Sequence, residues 1–407
     1  MHVYLEIYMV SINSIKPYNF NIAFNGRIID SHTHLGRMEN CSYEADSLTK
    51  FHKKQTNNPN EDYVDTFVTS ALDGMCRKSD GKYVSNEIEA NKNLINTIKS
   101  ANAQNMIKPL AVCQVDSGNA KNIEKLFEDG DKFYGLKFHP METQINADDE
   151  RYNPYMKIAQ KRHLPCVFHT ETTDGYAAPK RIYELAKRTP DVPVVLYHMC
   201  LVPAKSVKDL SEEEIQVRGL QNDRDKWCWD VRESWNREGI DVVEQALKNK
   251  DANLYLETSW TKPETMVEAI KRVGADRVLW GTDAPIGDSG ENATKENYFA
   301  NVDKYKAAIK EAFPENAQEI EDKVFFKNAE RLFGNNSKKI SKSDKAIETV
   351  GYAASLAVGI GALTAFIKNI SSNKNTQVQF QDKLQLQEKP HKENFLQRII
   401  HKFVRKS

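Results

Sequence analysis

Two histidines separated by one residue, His32 and His34, close the stretch Ile28-Ile29-Asp30-Ser31-His32-Thr33-His34-Leu35-Gly36. In an extended strand residues i and i+2 project to the same side, so this spacing can bring two imidazoles onto one centre. Imidazole is a common ligand of divalent metals, and the pair marks a candidate metal site, although surface histidines also fall at this spacing. The same kind of residue recurs at the ends of later apolar runs. Lys137 and His139 end Phe133 to His139, His169 ends Pro165 to His169, His198 ends Pro193 to His198, and Asp283 follows Arg277 to Gly281. Five of the chain's ten histidines occupy such run ends, which random scatter would not give. The other five, His2, His52, His163, His391 and His401, are read as non-catalytic.

The elements that must position these residues follow from the alternation of patterns. Further strand-like runs are Tyr63 to Thr69, Ile107 to Gln114 and Asn253 to Glu257, which with the five above make eight. Between most of them lie stretches of helical period, namely Asn86 to Ala101, Ala120 to Glu128, Tyr152 to Arg162, Pro179 to Arg188, Val242 to Asn249 and Pro263 to Val273. Eight alternating units across residues 27–334 predict an α/β fold, the closed (β/α)8 or TIM barrel, in which the C-terminal ends of all strands converge on one site. One connection, residues 201–239, is long enough to be an insertion. It carries Trp227-Cys228-Trp229-Asp230 and Trp235, which suit either a lid over the site or the core of a small subdomain.

Composition narrows the function classes. Lys plus Arg and Asp plus Glu both number 57 in 407 residues, so no global field points to nucleic acid. The expected partner is a small-molecule substrate, and homo-oligomerisation is left open. The six cysteines are dispersed, without a C-x-x-C pair, which fits a reducing, cytoplasmic setting. The lead-in, residues 1–26, lacks the basic, apolar and small-residue succession of a signal peptide.

In order along the chain stand D-x-H-x-H on strand one, Gly135-Leu136-Lys137-Phe138-His139-Pro140 on strand four, F-H-T on strand five, Y-H-M on strand six, Gly281-Thr282-Asp283-Ala284-Pro285 after strand eight, and a closing Asn328-Ala329-Glu330-Arg331-Leu332-Phe333-Gly334. This combination resembles the amidohydrolase superfamily, and within it the branch of amidohydrolase-related decarboxylases and lactone or amide hydrolases. The resemblance implies a divalent metal held by His32, His34, His169 and Asp283, with zinc the leading ion and manganese or iron also fitting. It implies a water activated at that metal, Asp283 exchanging a proton through its second oxygen, and His198 polarising the substrate carbonyl. Lys137 is either carboxylated and bridging two metals or, as favoured here, a cation for a substrate carboxylate beside a single metal. His139 and Arg37 are further candidate substrate contacts, while Glu171, Trp260 and Asp288 follow strands without an assigned role. The expected activity is metal-dependent hydrolysis of a small carbonyl compound of amide or lactone type. The alternative is a metal-dependent decarboxylase on the same scaffold. A third reading, a non-catalytic membrane-tethered binding module, is opposed by the completeness of the residue set.

After Gly334 the composition changes. A polar linker, residues 335–348, leads to Thr349 to Ile367, which carries no charge and is about long enough as a helix to span a bilayer core. Ala353, Ala357 and Gly361 give it a small-xxx-small stripe. Residues 368–407 are low in complexity and end with Phe395, Leu396, Ile399, Ile400, Phe403 and Val404 at helical spacing opposite Arg398, Lys402, Arg405 and Lys406. Such a tail is expected to be helical and to attach the barrel to a membrane, peripherally or through a single transmembrane helix, with the barrel on the cytoplasmic side.

Overall fold

The computed structural model describes residues 26–39, 42–43, 62–171, 175–201, 205–206, 211–217, 221–222, 227–228, 232–286 and 295–334. Eight strands lie in chain order: β1 Arg27–Arg37, β2 Tyr63–Ala71, β3 Ile107–Pro109 continuing as Ala111–Val112, β4 Leu136–Phe138, β5 Cys166–Glu171, β6 Pro193–Leu201, β7 Asn253–Glu257 and β8 Val278–Leu279. Each pairs in parallel with its successor, in registers such as Ile28 with Val64, Phe67 with Ile107, Leu136 with Cys166 and Leu256 with Val278. Strand β3 changes partner at Leu110, whose N–H bonds Thr69 on β2 while that of Ala111 bonds Gly135 beside β4. The ring closes where Ser31 N–H donates to the Trp280 carbonyl (3.2 Å), His34 N–H to Ala284 (2.8 Å) and Asp283 N–H to His32 (2.8 Å). The expected barrel is present.

Strand alternation divides the apolar residues between two cores. Outward residues such as Ile28, Phe67, Phe138, Phe168, Val194 and Leu256 pack beneath the helices, among them Glu87–Ser100, Ala120–Glu128, Pro179–Ala186 and Pro263–Val273. Inward residues Ile29, Val68, Leu110, Val167, Val195, Tyr255 and Leu279 fill the barrel with Tyr197. Its strand-entry end is stoppered by Phe326, Leu332 and Phe333 from the π-turn Lys323–Lys327 and the helix Asn328–Phe333. Asn328 anchors this stopper, its amide donating to the Ala275 and Val278 carbonyls (2.7 and 2.8 Å). The apolar half of the interior thus leaves only the strand-exit end for chemistry.

The structure departs from expectation after β6. The helix there is Arg232–Asn249, reaching back into the stretch read as insertion, because Gly239 and the charges around it interrupt the apolar period. Gly239 is where the backbone meets β6: a Cβ would stand 1.9 Å from the Met199 carbonyl oxygen. Within the same stretch Lys205–Ser206 pairs antiparallel with Trp227–Cys228. Trp229 and Asp288 lie outside the described residues, as do most of the lead-in, the linker and the apolar and basic tail segments. The chain divides into Met1–Lys338 and Lys339–Ser407, and among the described residues no helix is long and apolar enough to cross a membrane.

Candidate metal centre

Strand β1 delivers His32 and His34 through a register shift between Asp30 and Thr33. Asp30 fixes this bend, accepting from the His32 and Thr282 N–H groups (both 3.1 Å) and from the Thr282 hydroxyl (2.6 Å). The aspartate of the first-strand motif is therefore a clamp between β1 and the chain after β8. Gly281 lets the two approach, since a Cβ there would stand 2.5 Å from Glu257 Oε1 and 2.9 Å from His32 Cβ. His198, Trp260 and Asp283 have φ of 66°, 61° and 61°, a region L residues seldom occupy and which costs on the order of 1–3 kcal/mol each. That three strand exits share it shows how strongly the surrounding structure dictates the direction of these side chains.

Three atoms meet at the centre. His32 Nε2 and His34 Nε2 are 3.0 Å apart, and Asp283 Oδ1 lies 3.0 Å and 2.8 Å from them. Behind them, His32 Nδ1 faces Glu257 Oε2 (3.1 Å) and His34 Nδ1 faces Ser70 Oγ (3.0 Å). An ionised Glu257 only accepts, which puts the His32 proton on Nδ1, and Ser70 allows the same for His34. The facing atoms are then two imidazole lone pairs and a carboxylate oxygen, which repel one another unless a cation lies among them. The residues therefore fit a divalent metal, and this N,N,O set is of the kind zinc takes. Trp260 Nε1 donates to the other oxygen, Asp283 Oδ2, at 2.6 Å.

The remaining histidines form a second bank. His198 lies with its ring centroid 4.9 Å from that of His32 and 4.9 Å from that of His169, which stacks on His139 at 4.0 Å. His169 is thus brought to the site but stands outside the close His32–His34–Asp283 cluster. His139 also caps the helix Pro140–Thr143, its Nδ1 accepting from Glu142 N–H (3.4 Å), so its ring is held by local structure as well as by the stack. Lys137 is buried, its Nζ 4.1 Å from the centroid of Tyr197, whose ring lies 3.7 Å from that of His32. Tyr197 forms the floor between this polar layer and the apolar interior, its hydroxyl donating to the Ser31 carbonyl. Arg37 is not brought to the cluster. It is exposed, and with Asp73, Asn93 and Thr97 it lines a separate cavity of about 630 Å³.

Burial governs the electrostatics. It pushes His32 and His198 well below the ordinary histidine value and His169 down to about 3, so all three are neutral at pH 7. His34 is lowered by burial, with Asp283 pulling the other way. Lys137 is brought down to about 7 by burial, against the opposing attraction of Asp283 and Glu257. Glu257 is pushed up to about 8 by burial, although donors surround it. Neutral imidazoles are what metal binding requires.

Glu257 and Ser259 were absent from the sequence-derived site. Glu257 ends the seventh strand run as the other site residues end theirs, and that position was the available signal. Ser259 carried none, since its importance lies in where the turn after β7 places its hydroxyl.

Residues 29–334 match the amidohydrolase family. None of the curated proteins compared with the chain matches it. Among solved structures, an uncharacterised TIM-barrel protein from Bordetella bronchiseptica is 16% identical with a TM-score of 0.48, covering 77% of this chain and 100% of that one. A probable 2-pyrone-4,6-dicarboxylic acid hydrolase from Acinetobacter baumannii is 14% identical (TM-score 0.43; 75% and 99% covered). The 2,6-dihydroxybenzoate decarboxylase from Rhizobium is 15% identical (TM-score 0.43; 76% and 98%). The family match takes in almost the whole barrel and every residue of the centre, from His32 to Asp283, and the chain belongs to the amidohydrolase family.

Proposed function

We propose that the protein is a metal-dependent hydrolase of a small carbonyl compound, of lactone or amide type. The observation that carries this reading is the convergence of His32 Nε2, His34 Nε2 and Asp283 Oδ1 within 3.0 Å of one another, all three acceptors. A divalent ion bound there, zinc being the best fit, supplies a water activated near neutral pH. The chain's own groups do the rest. Asp283 takes up a proton at Oδ2, the oxygen that Trp260 orients, and returns it to the leaving group. His198 faces the developing oxyanion across the site, with His169 as the fourth ligand of the proposed set. The walls of buried strand-exit residues exclude bulk water, which strengthens each of these interactions.

Decarboxylation at the same centre is the second reading, favoured by Lys137, a buried amine suited to holding a substrate carboxylate. Zinc-loaded protein assayed against lactones, amides and aromatic or enolic acids decides between them. Zinc-dependent ring opening or amide cleavage supports hydrolysis, and zinc-dependent carbon dioxide release supports the alternative. Activity indifferent to chelation and to His32→Ala overturns both. Membrane attachment through the sequence from Thr349 to Ile367 is a separate proposal, and full-length protein remaining in the soluble fraction at low salt overturns it.

A further inference from the structure

Ser259 Oγ lies 2.7 Å from Glu257 Oε2, 2.8 Å from His198 Nδ1 and 3.1 Å from His32 Nδ1, and all four residues are buried. A hydroxyl has one proton to give. Were it given to His198, the 2.7 Å contact between Ser259 Oγ and Glu257 Oε2 would need a proton on Oε2, which would leave that oxygen one lone pair for the two nitrogens it also faces, His198 N–H and His32 Nδ1. Given to the Glu257 carboxylate, it forms a short charge-assisted bond and leaves the serine oxygen as an acceptor. His198 Nδ1 must then donate. The carboxylate end is itself held rigidly, Oε1 accepting from Ser259 N–H (2.6 Å) and Oε2 from His198 N–H (3.3 Å) and from His32 Nδ1.

We propose that Ser259 is a positioning residue that fixes the ring proton of His198 on Nδ1 and, through the shared Glu257 carboxylate, ties that choice to the orientation of the metal ligand His32. The inference rests on the proposed metal centre and deepens it. With Nδ1 protonated, the basic nitrogen of His198 is Nε2, so that atom first takes up a proton, and His198 meets a carbonyl or oxyanion as a donor only once it has done so. A proton arriving at Nε2 makes an imidazolium whose charge is felt by Glu257 through one hydroxyl. The same carboxylate serves the metal side, so both halves of the centre draw on one anion.

The test is the ring-nitrogen pattern in 15N spectra of full-length protein labelled only at histidine, with His198→Gln identifying the His198 signals. In the wild type, with or without zinc, His198 is expected to show a protonated Nδ1 and an unprotonated Nε2. Ser259→Ala should shift His198 towards the other tautomer and weaken zinc binding about 10-fold through His32, while Ser259→Thr, which keeps the hydroxyl, restores both. An unchanged His198 pattern in Ser259→Ala overturns the proposal, as does a threonine variant that behaves like alanine, which would reduce Ser259 to a packing residue. Failure of the wild type to bind zinc would instead count against the metal centre, and the tautomer read in metal-free protein would still decide the role of Ser259.

Discussion

The indole of Trp260 donates its N–H to Asp283 Oδ2 at 2.6 Å, while Asp283 Oδ1 faces both first-strand histidines. The carboxylate is thereby divided between a metal-facing oxygen and an oxygen whose direction is set by a residue 23 positions earlier, after the preceding strand. Trp260→Phe keeps the ring and removes the donor. It is expected to lower zinc affinity about 10-fold, as loss of outer partners does, with unchanged circular dichroism. Titration with zinc against a competing chelator checks this, and wild-type affinity would show the bond to be incidental.

His32→Ala and Asp283→Ala each remove one of three convergent atoms. Zinc affinity should fall by more than about 100-fold in either, with the barrel still folded because the stopper at the opposite end is untouched. Elemental analysis after gel filtration reads the outcome, and full metal content in both variants would sink the assignment of the centre.

His198→Asn should separate binding from turnover. Metal content is expected to stay at the wild-type level while kcat falls about 10²–10⁴-fold once a substrate is in hand. Loss of metal in this variant would move His198 among the ligands.

The buried histidines predict how metal-free protein responds to acid. His169 is held at about 3 against an ordinary value of 6.5, so the unfolded chain binds its proton first as pH falls. The stability this group contributes is present above pH 6.5 and is lost on descending towards pH 3, at about 1.4 kcal/mol for each pH unit well below 6.5. Thermal melts of chelated protein should show Tm falling between pH 7 and 5. His169→Asn should flatten that fall, and an unaltered slope would contradict the assignment.

Lys137 works in the same sense at higher pH. Its folded value of about 7 lies below the ordinary lysine value of 10.5, so folding favours the uncharged amine, and the charged form carries a burial cost that grows as pH falls from 10.5 towards 7. Lys137→Met should stabilise the protein by about 1–2 kcal/mol at pH 7 and abolish affinity for substrates bearing a carboxylate. A destabilised variant in calorimetry would show that the amine has a structural partner after all.

How much of this was legible beforehand depended on whether a residue's role is local. The strand alternation and the histidine spacing are local, and the barrel, the pair His32 and His34 and the strand-exit positions of His169 and His198 could be read from them. Asp283 was legible from its motif, but Trp260 as its partner was not, because the contact depends on two turns that each place a residue at positive φ. Glu257 passed for the charged end of an ordinary strand, since nothing in its neighbours signals that it is fully buried between two histidines. Arg37 looked suited to an anion because it follows the His-x-His pair, yet β1 runs on to Arg37 and carries it past the site to the exposed rim. His139 likewise doubles as a helix cap, a duty that its spacing from Lys137 did not reveal.

The ring of strands closes between the first and the last, and the centre straddles that seam: His34 comes from one side of it and Asp283, 249 positions later, from the other. A chain made from its N-terminus at about 5–20 residues per second therefore carries its two imidazoles for roughly 10–50 s before the aspartate has been synthesised. Throughout that interval the outer edge of β1 is covered only at Gly36 and Arg37, by Ser42–Tyr43, and the rest is open to association with neighbouring chains. A chain ending before Gly281 would keep that edge and lack Asp283, whereas in the finished barrel an ion held by His32, His34 and Asp283 would fasten the first strand to the last.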